Sequence, residues 1–217
     1  RAIKNMGFNK LGLLNPLNFP SDEAFYRAKG AGDLLDSAKI YSSLDEALSE
    51  KTLVLGTSAR DRTIPWPSVF TNNIDKDISN LDNKNKISIL FGREKSGLTN
   101  EELQRCHMHI KIPSSEDYTS LNLSHAVQII SYELRNALLK NQKNEIKSDV
   151  PLSTDKDDEF LLKHVDEVLL GLDFYDQNSS RQVKARLKRL LKKARPDKLE
   201  VGILRGFLSK IQELLNK

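Results

Sequence analysis

Residues 89–103 have the sequence Ile-Leu-Phe-Gly-Arg-Glu-Lys-Ser-Gly-Leu-Thr-Asn-Glu-Glu-Leu, and this stretch indicates the fold class. An apolar run ends at Gly92, a charged loop follows, and Thr99-x-x-Glu102 matches the capping box that starts a helix. A strand, a loop and a helix N-terminus in this order are typical of small-molecule sites in α/β proteins. The spacing of Gly92 and Gly97 resembles a phosphate-binding P-loop, but that motif needs lysine where this chain has Leu98. We therefore expect the loop to bind a ligand other than a nucleoside triphosphate.

Short apolar segments alternate with helical patterns around this stretch. The predicted strands are residues 11–14, 52–55, 87–91 and 108–112, and the predicted helices are 21–31, 44–50, 101–106 and 121–140. This alternation predicts an α/β fold with a mostly parallel sheet flanked by helices. We assign residues 1–140 to this domain, 141–158 to a polar linker and 159–217 to a small all-helical C-terminal module.

Composition narrows the class of protein. The chain has 217 residues, a net charge of +4, a pI near 9.0 and a single cysteine, Cys106. One cysteine excludes an intramolecular disulfide framework and fits a cytoplasmic protein. No apolar run approaches the roughly 20 residues that span a bilayer, so we expect no membrane association. The Gly-x-Gly-x-x-Gly fingerprint of dinucleotide-binding enzymes is absent, which argues against a dinucleotide-dependent oxidoreductase.

Three loops follow predicted strands, at the edge where parallel sheets bind ligands. They are residues 56–60, 92–97 and 112–123. Together they offer small residues, hydroxyls, an amide and one carboxylate, which suit a ligand with apolar and polar parts. Taken singly, glycine and serine at a strand end are most often turn residues.

Residues 1 to about 140 contain five ordered motifs, which are Arg1-Ala-Ile-Lys-Asn-Met-Gly7, Leu14-Asn-Pro-Leu-Asn-Phe-Pro20, Gly56-Thr-Ser-Ala-Arg60, Phe91-Gly-Arg-Glu-x-x-Gly-Leu-Thr-Asn-Glu-Glu102 and Ser120-Leu-Asn-Leu-Ser-His-Ala-Val127. Together they resemble one family, the SpoU branch of the SPOUT RNA methyltransferases. This resemblance implies a trefoil knot, a homodimer and S-adenosylmethionine bound at the knot. The cofactor contacts that it implies are Thr57, Ser58, Ala59, Gly92, Ile112, Thr119, Ser120 and Leu121.

The same resemblance implies methyl transfer to a ribose 2′-hydroxyl and four catalytic positions, Arg1, Glu94, Ser120 and Asn122. Arg1 would engage the hydroxyl, but an arginine stays protonated and cannot be the base unaided. We therefore expect a substrate phosphate to accept the proton. The family pattern also has an Asn-x-Gly segment six residues before this arginine, which we expect to precede Arg1.

Simpler interpretations remain open for several of these residues. Asn122 would also suit a helix cap, and Glu94 in a charged loop would ordinarily be solvated. Trp66 lies between two prolines and would either stack on RNA or anchor a packed loop or dimer contact. The four histidines lack partners at ligand spacing, so we expect no metal site.

The C-terminal part carries the signal for RNA. Its basic residues between positions 181 and 195 have no intervening acid, and Val183, Leu187, Leu190, Leu191 and Ala194 fall at helical spacing on the other side. This pattern predicts an amphipathic helix with a phosphate-binding face. We expect RNA contacts at Arg60, Arg181, Arg186, Arg189 and Lys193.

This C-terminal segment resembles the extension of bacterial tRNA ribose methyltransferases in the same branch, which implies tRNA as the substrate and nucleotide 32 of the anticodon loop as the target. A ribosomal RNA methyltransferase of the same family is the alternative. A non-enzymatic RNA-binding protein that has kept the fold is a third hypothesis.

Overall fold

The strands form two parallel sheets. The computed structural model describes residues 1–59, 65–78, 85–115, 117, 119–141, 150–175 and 181–215. Strands β1 and β2 pair with each other, and the other four form one sheet in the order β4-β6-β3-β5 with every neighbouring pair parallel. The bounds are β1 Gly12–Leu14, β2 Lys39–Tyr41, β3 Leu53–Thr57, β4 Ser68–Phe70, β5 Ile87–Leu90 and β6 Met108–Lys111.

Helices connect and cover these strands. They are α1 Ala2–Asn5, α2 Asp22–Ala28, α3 Gly32–Asp36, α4 Leu44–Leu48, α5 Ile74–Ile78, α6 Asn100–Gln104, α7 Leu123–Asn141, α8 Asp155–Gly171, α9 Arg181–Ala194 and α10 Lys198–Leu215. The prediction of an α/β fold with a parallel sheet flanked by helices is therefore confirmed. No helix in the described ranges is both long and apolar enough to cross a membrane.

The main core lies where α5 and α7 cover the four-stranded sheet. Leu55 of β3, Ile110 of β6 and Ile130 of α7 are almost completely buried in one cluster. Residues 53–56 of the central strand β3 are all buried, so this strand is a continuous apolar run, as expected for a parallel strand with both faces covered. Burial of these side chains fixes the strand order and brings three strand ends to one edge.

Two strands escaped prediction because they are only three residues long. Lys39-Ile-Tyr41 and Ser68-Val-Phe70 are too short to show a period of two, and Pro67 before the second suggested a loop. Tertiary pairing forms them, since Ile40 pairs with Leu13 and Val69 pairs with Ile110.

The first C-terminal helix begins earlier than predicted, within the last residues of the predicted linker 141–158. Helix α8 starts at Asp155, because Thr154 and Asp157 form a capping box in which each side chain accepts from the other residue's backbone N–H. Leu152 pairs with Asp197 in an isolated bridge, and Asp155 N–H donates to the Lys51 carbonyl at 2.8 Å. The last residues of the predicted linker are therefore part of the folded structure.

Candidate functional site

Three loops meet at the carboxyl edge of the sheet. Strands β6, β3 and β5 are parallel neighbours, so the segments after Thr57, Leu90 and Lys111 leave the sheet on the same side. The backbone N–H of Ser58 donates to the Ile110 carbonyl at 3.1 Å, which connects the loop after β3 to strand β6. The topology thus brings together the loops that the sequence singled out.

The loop after β5 closes on itself at Gly92. Arg93 N–H donates to the Gly97 carbonyl at 3.2 Å, and Gly97 N–H donates to the Arg93 carbonyl at 2.7 Å. A Cβ at Gly92 would lie 2.0 Å from the Gly97 carbonyl carbon, and Gly97 has φ +67°, a left-handed conformation that favours glycine. The two glycines are therefore required by the geometry of the turn itself.

Glu94 and Asn122 join the second and third loops. Asn122 Nδ2 donates to Glu94 Oε1 at 2.9 Å, while Asn122 Oδ1 accepts from the backbone N–H of Ser124 at 2.9 Å and from its hydroxyl at 2.5 Å. Asn122 therefore caps the start of α7 and also holds the loop that carries Glu94. The side-chain carbonyl already has two donors, so Asn122 is suited to positioning.

A second carboxylate fixes the far end of the same loop. The Glu102 carboxylate accepts hydrogen bonds from Nη1 and Nη2 of Arg93, each at 3.0 Å, and completes the predicted capping box with Thr99. Burial works to raise the pKa of Glu102, but the hydrogen bonds from Arg93 and Thr99 outweigh it and hold that pKa below its ordinary value. The pair of Arg93 and Glu102 was missed, because the sequence indicates only the capping-box role of Glu102 with Thr99.

The remaining predicted cofactor and catalytic residues are at least partly accessible to solvent. Thr57, Ser58, Gly92 and Ile112 are half-buried, whereas Ala59, Thr119, Ser120 and Leu121 are exposed. Arg1 is exposed at the start of α1, which packs against α7. In the part of the chain that the structure describes, no hydrogen bond or ion pair joins the Arg1 side chain to Glu94 or Asn122.

The predicted RNA contacts divide into two groups. Arg181, Arg186 and Lys193 are exposed on α9, whereas Arg189 Nη1 donates to the Pro65 carbonyl at 2.9 Å and so also attaches α9 to the α/β domain. Arg60 lies outside the described residues. The neighbouring Trp66 is 9% exposed, donates from Nε1 to the Cys106 carbonyl at 2.8 Å and stacks on His109, so its interpretation as a packed loop anchor is confirmed.

The prediction of which side of α9 is apolar and buried is wrong in part. Leu190 is 64% exposed, and Lys192 is fully buried. Lys192 Nζ lies 2.8 Å from Asp155 Oδ1 and 3.0 Å from Asp158 Oδ2, and both carboxylates are buried. The acids of α8 select the face of α9 that turns inward, and spacing within α9 alone could not reveal them.

Two residues of the α/β domain complete this buried charge cluster, which comprises Lys192, Asp155, Asp158, Arg105 and His107. Arg105 pairs with Asp155, and His107 Nε2 lies 3.6 Å from Asp158 Oδ2. His107 Nδ1 accepts from the Val54 N–H at 3.0 Å, which places the ring's proton on Nε2 in the neutral form. The cluster therefore joins α8 and α9 to strands β3 and β6.

Burial is the largest influence on the pKa values of Asp158, Lys192 and His107. It works to raise the pKa of Asp158, but His107, Lys192 and Ser153 outweigh it and keep that pKa low. It works to lower the pKa of Lys192, but Asp158 and Asp155 outweigh it and keep that pKa high. His107 has no such compensation, since burial lowers its pKa despite Asp158. Lys192 and Asp158 are therefore charged at neutral pH, and His107 is neutral.

Metal ligands do not gather within the described ranges. No group of three or more His, Cys, Asp or Glu side chains there lies close enough together to hold an ion. Burial raises the pKa of the Cys106 thiol to about 12, which leaves it protonated and unreactive.

Comparison with known proteins agrees with the motifs. Residues 1–132 match the SpoU rRNA Methylase family, and residues 156–217 match the C-terminal domain of the tRNA methyltransferase TrmJ. The chain is 41% identical to the tRNA (cytidine/uridine/adenosine-2′-O-)-methyltransferase TrmJ of Pseudomonas aeruginosa, over 99% of this chain and 87% of that protein. It is 42% identical to the tRNA (cytidine/uridine-2′-O-)-methyltransferase TrmJ of Salmonella choleraesuis, over 98% of this chain and 89% of that protein.

Solved structures give the same result. The crystal structure of TrmJ from Z. mobilis superposes with a TM-score of 0.82 at 25% identity, covering 97% of this chain and 90% of that one. A probable methylase family protein from Haemophilus influenzae superposes with a TM-score of 0.61 at 34% identity, covering 99% and 89%. The resemblance inferred from the motifs is confirmed, and the chain belongs to the SpoU methylase family, with a C-terminal domain of the TrmJ type.

Proposed function

We propose that this protein is an S-adenosylmethionine-dependent tRNA methyltransferase that modifies the ribose 2′-hydroxyl of cytidine or uridine 32 in the anticodon loop. The observation that carries the proposal is the edge where β6, β3 and β5 end, with Glu94 and Asn122 hydrogen-bonded across two of its loops at 2.9 Å. Relatives named as tRNA 2′-O-methyltransferases are 41–42% identical in sequence to this chain over nearly its whole length.

The residues at this edge fit the cofactor by their chemistry. S-adenosylmethionine would supply an electrophilic methyl group on its sulfonium. Half-buried Ile112 and exposed Leu121 offer apolar surface for the adenine ring, and the backbone of Thr57, Ala59 and Gly92 offers polar groups for its hydrogen-bonding edge and for the methionine end. Because Gly92 and Gly97 fix the second loop in one conformation, these groups are positioned before the cofactor binds.

Transfer to a hydroxyl requires alignment of that hydroxyl and removal of its proton. Arg1 would bind the hydroxyl and an adjacent substrate phosphate, and the phosphate would accept the proton. Ser120 would orient the substrate by a hydrogen bond. Glu94 and Asn122 would hold their loops in register, a role that suits the contacts they already make.

One feature favours tRNA over ribosomal RNA, namely the match of residues 156–217 to the C-terminal domain of the tRNA methyltransferase TrmJ. Exposed Arg181, Arg186 and Lys193 form a positive face on α9 that would suit either RNA. Phosphate contacts from such a face give RNA affinity without sequence specificity, so the target nucleotide must be selected at the sheet edge.

We also expect the trefoil knot and the homodimer that the family resemblance implies. Helix α7 supports a dimer, because Tyr132, Leu138 and Leu139 are each roughly half exposed on it. Light scattering of the purified protein tests the dimer, and a monomer at micromolar concentration would exclude it.

Methyl transfer from labelled S-adenosylmethionine to unmodified tRNA transcripts tests the function. The RNA would be digested and its nucleosides identified by mass spectrometry, with Arg1→Ala as the variant expected to bind cofactor and lose transfer. A 2′-O-methylated pyrimidine at position 32 supports the proposal. Transfer to ribosomal RNA alone would move the protein to the ribosomal alternative, and tRNA binding without transfer to any RNA would favour the non-enzymatic hypothesis.

A further inference from the structure

A cleft lies between helices α8 and α10. Its volume is about 310 Å³, which is at the small end of ligand pockets and suits one nucleotide. The cleft is lined by Phe160, Lys163, His164, Glu167, Arg205 and Gln212.

An aromatic ring is presented to solvent in this cleft. Phe160 is 51% exposed, and Lys156 Nζ lies 5.6 Å from the centroid of its ring. Lys156, Phe160, Lys163 and Glu167 are spaced four, three and four residues apart, so they form one stripe along α8. A large exposed ring flanked by cations is the arrangement on which unpaired RNA bases stack.

The opposite wall of the cleft adds positive charge. Arg205 of α10 is exposed, and no carboxylate among the described residues lies within 4 Å of its guanidinium. Lys163 Nζ lies 3.9 Å from Glu167 Oε1. Both side chains are mostly exposed, so solvent weakens this ion pair. A phosphate entering the cleft would therefore meet two available cations and one carboxylate.

The width of the cleft is held by a hydrogen bond between its walls. His164 Nε2 lies 3.1 Å from Gln212 Oε1, joining α8 to α10. The aromatic ring and the guanidinium are consequently carried on two helices that are fixed to each other, and little ordering is needed on binding.

We propose that this cleft binds one unpaired nucleotide of the tRNA substrate, with the base stacked on Phe160 and its phosphate between Lys163 and Arg205. The proposal rests on the proposed function, since it takes tRNA as the substrate, and it adds a second contact to the positive face of α9. The ring and the cations together favour a nucleotide over a purely apolar partner, which would leave the charges of Lys163 and Arg205 desolvated.

Binding of unmodified tRNA tests the cleft directly. Phe160→Leu keeps an apolar side chain but removes the ring, and we expect the Kd for tRNA to rise roughly tenfold, as for the loss of one stacked base. Phe160→Tyr restores a stacking surface and should bind within about twofold of the wild type. Phe207→Leu is the matched control, because Phe207 is 64% exposed on α10 and does not line the cleft.

A photo-crosslinking amino acid, p-benzoylphenylalanine, introduced in place of Phe160 gives a second measurement that does not depend on affinity. Sequencing of the crosslinked RNA should map the contact to a loop nucleotide, whereas the same group in place of Phe207 should crosslink weakly and without a preferred position. Crosslinks of equal yield at both positions would overturn the proposal.

The outcomes separate this proposal from the proposed function. If the wild-type protein methylates tRNA and Phe160→Leu binds tRNA with the wild-type Kd, the proposed nucleotide site in the cleft is overturned and the proposed function stands. Wild-type protein that neither binds nor methylates tRNA overturns both. Titration with free nucleoside monophosphates is the remaining arm, and binding there that depends on Phe160 without any effect on tRNA would assign the cleft to a free nucleotide instead.

Discussion

Replacing Lys192 with methionine should destabilise the protein far more than the same change at Lys193. Lys192 is fully buried between Asp155 and Asp158, whereas Lys193 is exposed on the same helix. Methionine matches the length of lysine, so Lys192→Met removes the charge with little change in packing. Asp155 keeps its ion pair with Arg105, but Asp158 keeps only the Ser153 hydroxyl at 2.6 Å and His107 at 3.6 Å.

The magnitude follows from that uncompensated carboxylate. Removing one partner of a buried ion pair costs about 3–5 kcal/mol, which for a chain of this size lowers Tm by about 10 °C. Lys193→Met should change the free energy of unfolding by less than about 0.5 kcal/mol. It should instead weaken tRNA binding and reduce the salt dependence of log Kd by about one.

Urea unfolding of the two variants measures the difference, and a double-mutant cycle with Asp158→Asn tests its cause. Neutralising Asp158 removes the stranded charge, so Lys192→Met should cost at least about 2 kcal/mol less in that background. Because the wild-type pKa of Asp158 is low, its stabilising contribution is present above the ordinary carboxyl pKa and is lost as the pH falls through the lowered value. Equal stability of the two lysine variants, or an additive cycle, would refute the view that Lys192 neutralises Asp158.

Three further predictions concern the turn, the loop contact and pH. Gly92→Ala should abolish cofactor binding measured by calorimetry, because its Cβ would lie 2.0 Å from the Gly97 carbonyl carbon, and normal affinity would contradict this account of the turn. Asn122→Asp sets a carboxylate against Glu94 and should lower kcat at least tenfold, with Glu94→Gln in the same chain restoring part of it. Burial lowers the pKa of His107, so the unfolded chain binds a proton there more readily than the folded protein does. As the pH decreases below about 6.5, the free energy of unfolding should therefore decrease by up to about 1.4 kcal/mol per pH unit. His107→Gln should flatten this dependence, and the control variant His125→Gln, at an exposed histidine, should not.

Local sequence signals predicted the elements that nucleate the candidate site. The capping box at Thr99 and Glu102 formed as expected, and the strand before Gly92 ends at Leu90, one residue before its predicted end at Phe91. Such signals are local, since a cap and a turn depend on residues within a few positions of each other. The pairing of Glu94 with Asn122 is different in kind, because it joins residues 28 apart and requires the β5 and β6 strand ends to be near each other.

The C-terminal helices show where local patterns fail. Spacing in α9 predicted that Leu190 is inside and that Lys192 lies on the basic side. Both assignments were wrong, because Asp155 and Asp158 on another helix attract Lys192. The same acids appeared to belong to a solvated linker. A run of basic residues without acids between them therefore does not reveal which cation is paired across helices.

The contacts of Trp66 have a spectroscopic consequence. It is the only tryptophan in the chain, it is 9% exposed, and its neighbour Pro65 accepts the hydrogen bond from Arg189 of α9. Its fluorescence therefore reports on the seam between the C-terminal helices and the sheet without any added label. Emission should be blue-shifted while α9 is docked and should move to the red if the seam opens, so a tRNA titration in a fluorimeter would follow whether substrate tightens or loosens it.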